Sequence, residues 1–238
     1  MSEATFLSVI VPAYNEVARI GGTLAAMTEY LGHQPFSYEI IVAADGNDGT
    51  REAVAALAAT DSRIRVLGSP ERGGKGKGVR QGVLIAHGEF VGFLDADYKT
   101  PIDAFDGVLP HLRQGADLVI GSRVVSGARI LQHQPLYRRL GSRAFAAVMH
   151  TLVGLEDVSD TQCGFKFFRA PVAREIFSHQ TIDGYMFDIE ILLLAKKLGY
   201  RIVEVGVPWR DDGDTRYNPV TGTLRNAREL LKIRLRLR

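Results

Sequence analysis

The chain has 238 residues, of which 46% are apolar and 24% charged, with a formal net charge of +2. This composition excludes a disordered chain and allows a sizeable core without covalent staples. A single cysteine, Cys163, rules out an internal disulfide and makes a reducing, cytoplasmic compartment the simple expectation.

In chain order, Phe6–Val11 is a short apolar run closed by Pro12 and is expected to be a buried strand. After Asn15 and Glu16, the spacing of Ile20, Leu24, Met27 and Leu31 predicts a helix. Tyr38–Ala44 reads as a strand closed by the turn cluster Asp45-Gly46-Asn47-Asp48-Gly49, and Thr50 can cap a helix after it. Ile64–Leu67 is a third strand. The glycine-rich segment Glu71–Gly78 leads into a helix ending near His87. Phe90–Leu94 is a fourth strand, followed by Asp95-Ala96-Asp97, a helix over Asp103–Arg113 and a fifth strand over Asp117–Gly121. Strands alternating with helices argue for an α/β fold: a Rossmann-like, mostly parallel sheet with helices on both faces and ligands at the carboxyl ends of its strands. Tyr14, Asp45, Asp95, Asp97 and Arg123 all follow predicted strands and are expected to meet on one rim. Farther on, the expected elements are a helix over Arg138–Leu152, a strand over Thr161–Phe168, a helix over Phe187–Leu198, a strand over Arg201–Val205 and a helix over Leu224–Leu231. The terminal Lys232–Arg238 alternates charged and apolar residues, a period of two that predicts an extended tail or an edge strand. No linker or repeat divides the chain, so one domain over 1–238 is expected.

Charge is unevenly spread. Asp214–Arg238 holds seven basic and two acidic residues, and the segment between Asp117 and Glu156 holds five arginines and no acid. Two such runs point to an anionic partner. A basic stripe interleaved with stacking aromatics is not evident, so nucleic acid is not expected. The longest run without Asp, Glu, Lys or Arg is the 12 residues Ala144–Leu155. That is shorter than the about 20 apolar residues of a membrane span. The opening residues carry no secretion-signal pattern.

Two carboxylates at i and i+2 beyond a buried strand, Asp95 and Asp97, suit a divalent cation or a ribose, and plain turn chemistry would use the same residues. Gly73-Gly74-Lys75-Gly76-Lys77-Gly78 suits a phosphate-contacting loop or a flexible lead into a helix; it is neither a Walker A loop nor a dinucleotide fingerprint. The histidines are scattered, so a histidine metal cluster is not expected.

Several segments, taken together and in order, resemble the family 2 glycosyltransferases of the inverting GT-A group. Ser8–Glu16 is similar to that group's opening strand and loop, and Ala44–Thr50 to its Asp-rich loop, with Ala44 where the first Asp is usual. Gly74-Lys75-Gly76, Asp95-Ala96-Asp97 and Gly121-Ser122-Arg123 fall in the expected order. Asp160–Phe168, Phe187-Asp188-Ile189-Glu190 and Arg210–Arg216 resemble the dolichyl-phosphate glucosyltransferase branch. The resemblance spans nearly the whole chain.

It implies that 1–123 binds a nucleotide-sugar and that 124–238 binds the acceptor. Pro12, Ala13, Tyr14 and Glu16 would frame base and ribose, with Asp45 accepting from the base. Asp95 would hold ribose or a divalent metal (Mg²⁺ or Mn²⁺), Asp97 the metal, Arg123, Arg210 and Arg216 would face phosphates, and Lys75 and Ala96 would belong to the nucleotide-sugar site. Arg129, Arg138 and Arg139 would face an acceptor phosphate. Asp97 and Asp188 are the catalytic expectations. Lys99 stands where the polyprenyl-phosphate mannosyl branch often carries a metal-binding Gln.

The implied reaction is inverting transfer of a hexose, most simply glucose from UDP-glucose, to a polyprenyl or dolichyl phosphate. A GDP-mannose donor, or a soluble acceptor hydroxyl with Asp188 as general base, are the alternatives. A lipid acceptor implies peripheral contact with the cytoplasmic face of a membrane, for which Leu230–Arg238 offers four cations and three interleaved apolar residues.

Overall fold

The structure is a computed structural model that describes residues 4–130, 154–210 and 219–237, without the side chains of 219–224. A seven-stranded sheet forms the centre. Its strands are β1 (Leu7–Tyr14), β2 (Tyr38–Asp45), β3 (Ile64–Leu67), β4 (Phe90–Leu94), β5 (Leu118–Ser122), β7 (Phe165–Arg169) and β8 (Ile202–Gly206), in the order β3-β2-β1-β4-β7-β5-β8. All adjacent pairs run parallel except those of β7, which is antiparallel to both β4 and β5. Two short strands, β6 (Arg129–Ile130) and β9 (Pro208–Trp209), pair separately.

The period-two pattern of the strands builds two cores. Ile10, Ile41 and Phe93 face one side, against α3 (Lys75–Leu84), α5 (Ala170–His179), α6 (Phe187–Lys197) and α7 (Pro219–Leu237). Val9, Val11, Ile40 and Val42 face the other, against α1 (Val17–Gly32), α2 (Thr50–Ala58) and α4 (Phe105–Arg113). With both faces covered, strands such as Phe90–Leu94 are apolar throughout and fully buried.

Three expectations change. Helix α3 starts at Lys75, inside the glycine-rich segment, because Gly74 takes a φ of 109° that a side chain would resist. Helix α5 has no counterpart in the sequence reading; Pro171 opens it near N1, where the missing N–H costs nothing, and Val172, Ala173, Ile176 and Phe177 supply its buried stripe. The terminal residues are helical, neither extended nor an edge strand. Leu230 and Ile233 are buried and Leu237 packs on the same core, a spacing of three and four that a helix satisfies. Arg236 completes the docking with bonds to Glu190 Oε1 (2.9 Å), Thr181 Oγ1 (2.7 Å) and the His179 carbonyl (2.8 Å). The helix expected over Arg138–Leu152 lies outside the described residues.

Candidate active site

The carboxyl ends of β1, β2 and β4 bring the first motif residues to one rim. Tyr14 and Asp45 end their strands in register, and Asp95 follows β4 directly. Pro12 and Ala13 lie within β1, and Glu16 caps α1, its amide donating to Thr50 Oγ1 at 2.8 Å. Asp45 has a task the sequence did not disclose. Its Oδ1 accepts from the Ser69 amide (3.2 Å) and its Oδ2 from the Gly73 amide (2.7 Å), which ties the loop after β3 to the rim. Arg72, from that loop, lays its guanidinium 4.5 Å from the centre of the Tyr14 ring. A base contact by Asp45 would have to use lone pairs left over from these bonds.

The glycine-rich segment does not form an open phosphate cradle at the first turn of α3. The Gly76 and Lys77 amides donate to the Asp183 carbonyl, at 2.9 and 3.3 Å. Lys75 turns instead into a row of alternating charges. Its Nζ is 2.7 Å from Asp95 Oδ1 and 3.7 Å from Asp188 Oδ2, while Asp188 Oδ1 lies 2.6 Å from the Nζ of Lys166. Lys166 is fully buried and also donates to the Cys163 carbonyl at 2.7 Å. Burial works against the charge on Lys75, but Asp95 and then Asp188 outweigh it and raise its pKa. Asp188 and Glu190, two apart on α6, part company: Glu190 accepts from the Thr181 and Ile182 amides and from Arg236.

Asp97 lies beside this row. Its Oδ2 is 3.4 Å from the Lys99 ammonium and its Oδ1 3.4 Å from the Lys99 amide. Burial, and next the charge of Asp95, push the Asp97 carboxyl above its ordinary pKa. The turn that presents the pair is held by Tyr98 at a φ of 55° and by Thr23 Oγ1 donating to the Ala96 carbonyl at 2.8 Å. Gly164 packs so closely that a Cβ there would run into the Asp95 carboxylate. On the α1 side of Asp97 opens a cleft of about 440 Å³, whose walls include Arg19, Thr23, Lys99 and Arg210.

The phosphate-facing role expected of Arg123 meets a structural obstacle. Its fork is taken by Asp160, Nε to Oδ2 at 2.7 Å and Nη2 to Oδ1 at 2.8 Å, and its plane lies 5.5 Å from the Trp209 ring. Burial would raise the Asp160 pKa, yet the Arg123 bonds hold it below the usual carboxylate range. Arg210 stays beside the cleft, its amide donating to the Lys99 carbonyl at 3.0 Å. Arg129 is exposed on β6. Arg138, Arg139 and Arg216 lie outside the described residues. Lys166 and Asp160 went unassigned in the sequence. A lysine inside Phe165-Lys166-Phe167-Phe168 was the available signal, because a buried ammonium demands a partner.

A parallel sheet with carboxylates and lysines gathered at its carboxyl rim, completed by a central antiparallel strand, defines a GT-A nucleotide-sugar transferase architecture. The family model described as Glycosyl transferase family 2 matches residues 8–177, and the chain belongs to that family. Among curated relatives, it is 34% identical to dolichyl-phosphate beta-glucosyltransferase of Dictyostelium discoideum, over 97% of this chain and 74% of that one. It is 33% identical to the Drosophila melanogaster protein of the same name, over 97% and 74%. Among solved structures, glucosyl-3-phosphoglycerate synthase from Mycobacterium tuberculosis, in complex with Mn²⁺, UDP and glucosyl-3-phosphoglycerate, superimposes with a TM-score of 0.67 at 23% identity. It aligns over 98% of this chain and 80% of that one. Mannosyl-3-phosphoglycerate synthase from Rubrobacter xylanophilus gives 0.67 at 18%, over 98% and 73%. Both show the fold.

Proposed function

We propose that this glycosyltransferase moves glucose from UDP-glucose to a dolichyl or other polyprenyl phosphate, with inversion at the anomeric carbon. The observation that carries the reading is the identity to relatives named dolichyl-phosphate beta-glucosyltransferase along nearly the whole chain. In the reaction, an acceptor phosphate oxygen attacks the anomeric carbon as the bond from that carbon to the UDP oxygen breaks, and UDP departs. A phosphate monoester has a second pKa of about 6, so the nucleophile is largely ionised at neutral pH and needs no general base. This suits the site. Asp188 is committed to Lys166 and Lys75 and is better placed to position Lys75 than to collect a proton. Lys75, Lys99 and Arg210 are the cations near the rim that would steady the departing diphosphate.

The residues present fit a divalent ion. Asp95 and Asp97 are two hard oxygen donors on one tight turn, and burial, with the charge of Asp95 beside it, raises the Asp97 pKa although Lys99 opposes the rise. A metal held there would neutralise charge on the leaving diphosphate. On this reading the chain works at a membrane surface on its cytoplasmic side. No helix among the described residues is long and apolar enough to cross a bilayer. The outer face of α7 offers peripheral contact instead: Leu231 and Leu235 are 58% and 72% exposed, with Arg228, Lys232 and Arg234 around them.

The experiment is a donor and acceptor panel. UDP-glucose with dolichyl phosphate should give lipid-linked glucose, while GDP-mannose gives none. Efficient transfer to a soluble hydroxyl acceptor, or preference for GDP-mannose, would overturn the reading.

A further inference from the structure

The row of Asp95, Lys75, Asp188 and Lys166 runs from the rim into the core. Side-chain exposure falls along it from 41% at Asp95 through 16% at Lys75 and 4% at Asp188 to none at Lys166. The inner end stands on the middle of the sheet. Lys166 pairs with Phe93 on β4 and with Ile120 on β5, and its ammonium lies 5.6 Å from the centre of the Phe93 ring. Stability alone does not call for a cation here, since a buried ion pair can often be replaced as a whole by apolar groups without loss.

Two bonds of the Lys166 ammonium lead, by different routes, to one carboxylate. The first, to Asp188 Oδ1 at 2.6 Å, fixes the aspartate whose other oxygen faces Lys75 at 3.7 Å, and Lys75 in turn meets Asp95 Oδ1 at 2.7 Å. The second, to the Cys163 carbonyl at 2.7 Å, pins the main chain just before Gly164, where a Cβ would stand 2.1 Å from Asp95 Oδ2. One oxygen of Asp95 is held by a cation and the other rests against main chain, and both supports are anchored on the same ammonium. We propose that Lys166 is a positioning residue for donor binding: fully buried and out of reach of substrate, it sets through these two routes where Asp95 presents its carboxylate. The proposal rests on the reading that Asp95 serves the nucleotide-sugar donor. Partners that orient a ligand-binding group from behind typically matter by about 10–100-fold in affinity or activity.

The test titrates UDP into the full chain by calorimetry, with Mn²⁺ present. Lys166→Met keeps the stem and removes both bonds; it should bind UDP about tenfold more weakly than the unaltered protein. Lys166→Gln, which keeps an N–H donor, should fall between the two and carries the comparison if Lys166→Met does not fold. Val108→Ala opens a cavity under α4, on the opposite face of the sheet, and serves as the destabilised control; it should bind UDP within about twofold of the unaltered protein. In an Asp95→Asn background, Lys166→Met should cost less than about a further twofold, because the group it positions has already lost its charge. A folded Lys166→Met or Lys166→Gln that binds UDP no more weakly than Val108→Ala overturns the proposal. So does a Lys166→Met loss that appears in full on top of Asp95→Asn. Undiminished UDP binding by Asp95→Asn alone instead overturns the reading of Asp95, and with it this role for Lys166.

Discussion

Replacing Lys166 by methionine removes the innermost member of the Asp95–Lys75–Asp188–Lys166 row while keeping the stem's volume among the phenylalanines. The loss is that of one partner of a buried ion pair, for which about 3–5 kcal/mol is usual. Here Asp188 keeps a second cation, Lys75, 3.7 Å from its other oxygen, so the lower end, about 3 kcal/mol, applies. For a domain of this size, about 2–4 °C of melting temperature accompanies each kcal/mol, so a fall of about 6–12 °C is expected. Urea unfolding at pH 7 measures it, with an unchanged m-value as the check that only stability moved. The double variant Lys166→Met/Asp188→Leu should recover at least about 1 kcal/mol, since it no longer buries an under-paired carboxylate. A loss below about 1 kcal/mol for the single variant, or a double variant no more stable than the single, would refute the reasoning.

Three further outcomes are expected. Asp188→Asn should slow transfer roughly 10–100-fold, the scale of a lost positioning contact rather than of a lost base, without abolishing it; complete loss with normal UDP binding would favour a base and a hydroxyl acceptor. Asp160→Asn should destabilise the protein by about 3 kcal/mol at pH 7. Because the folded Asp160 pKa is lowered, that contribution is present above the unfolded value of about 3.9 and disappears as pH falls through the lower folded value, so unfolding curves of the two proteins should converge in acid. Leu231→Ser/Leu235→Ser should leave folding intact and reduce co-sedimentation with anionic liposomes at low salt; equal pelleting would show that α7 is not the contact.

How much of this was legible in the sequence depended on how local the cause was. Strands β1, β2, β4 and β5 announced themselves because burial on both faces makes a continuous apolar run. The tail misled for a physical reason: Ile233, Leu235 and Leu237 alternate as in a strand, yet Leu235 faces solvent while Leu230, Ile233 and Leu237 follow helical spacing. The direction of β7 left no trace, because antiparallel pairing with β4 and β5 is decided by partners far off in the chain, 79 residues apart in the pair Phe90–Arg169 and 46 in the pair Ile120–Lys166. Likewise the motif residue Arg123 was visible, but its engagement by Asp160, 37 positions later, was not. Motif order singled out residues that the fold brings to one rim; the ion-pair partners that set each residue's freedom came only with the fold.

The place of β7 also bears on how the chain is made. Among the described strands β5 pairs with β7 and β8 alone, so when Ser122 is synthesised these ladder partners do not yet exist. Strand β4 likewise presents a naked edge on the side away from β1 until β7 arrives. More than eighty residues separate the end of β5 from the end of β8, and at about 5–20 residues per second the ribosome needs roughly 4–16 s to supply them. For that interval the nascent amino-terminal half carries apolar strands with open edges, the kind of surface that recruits other strands. A fragment ending at residue 123 would be frozen in that state, so the amino-terminal half is expected to need the rest of the chain to remain in solution.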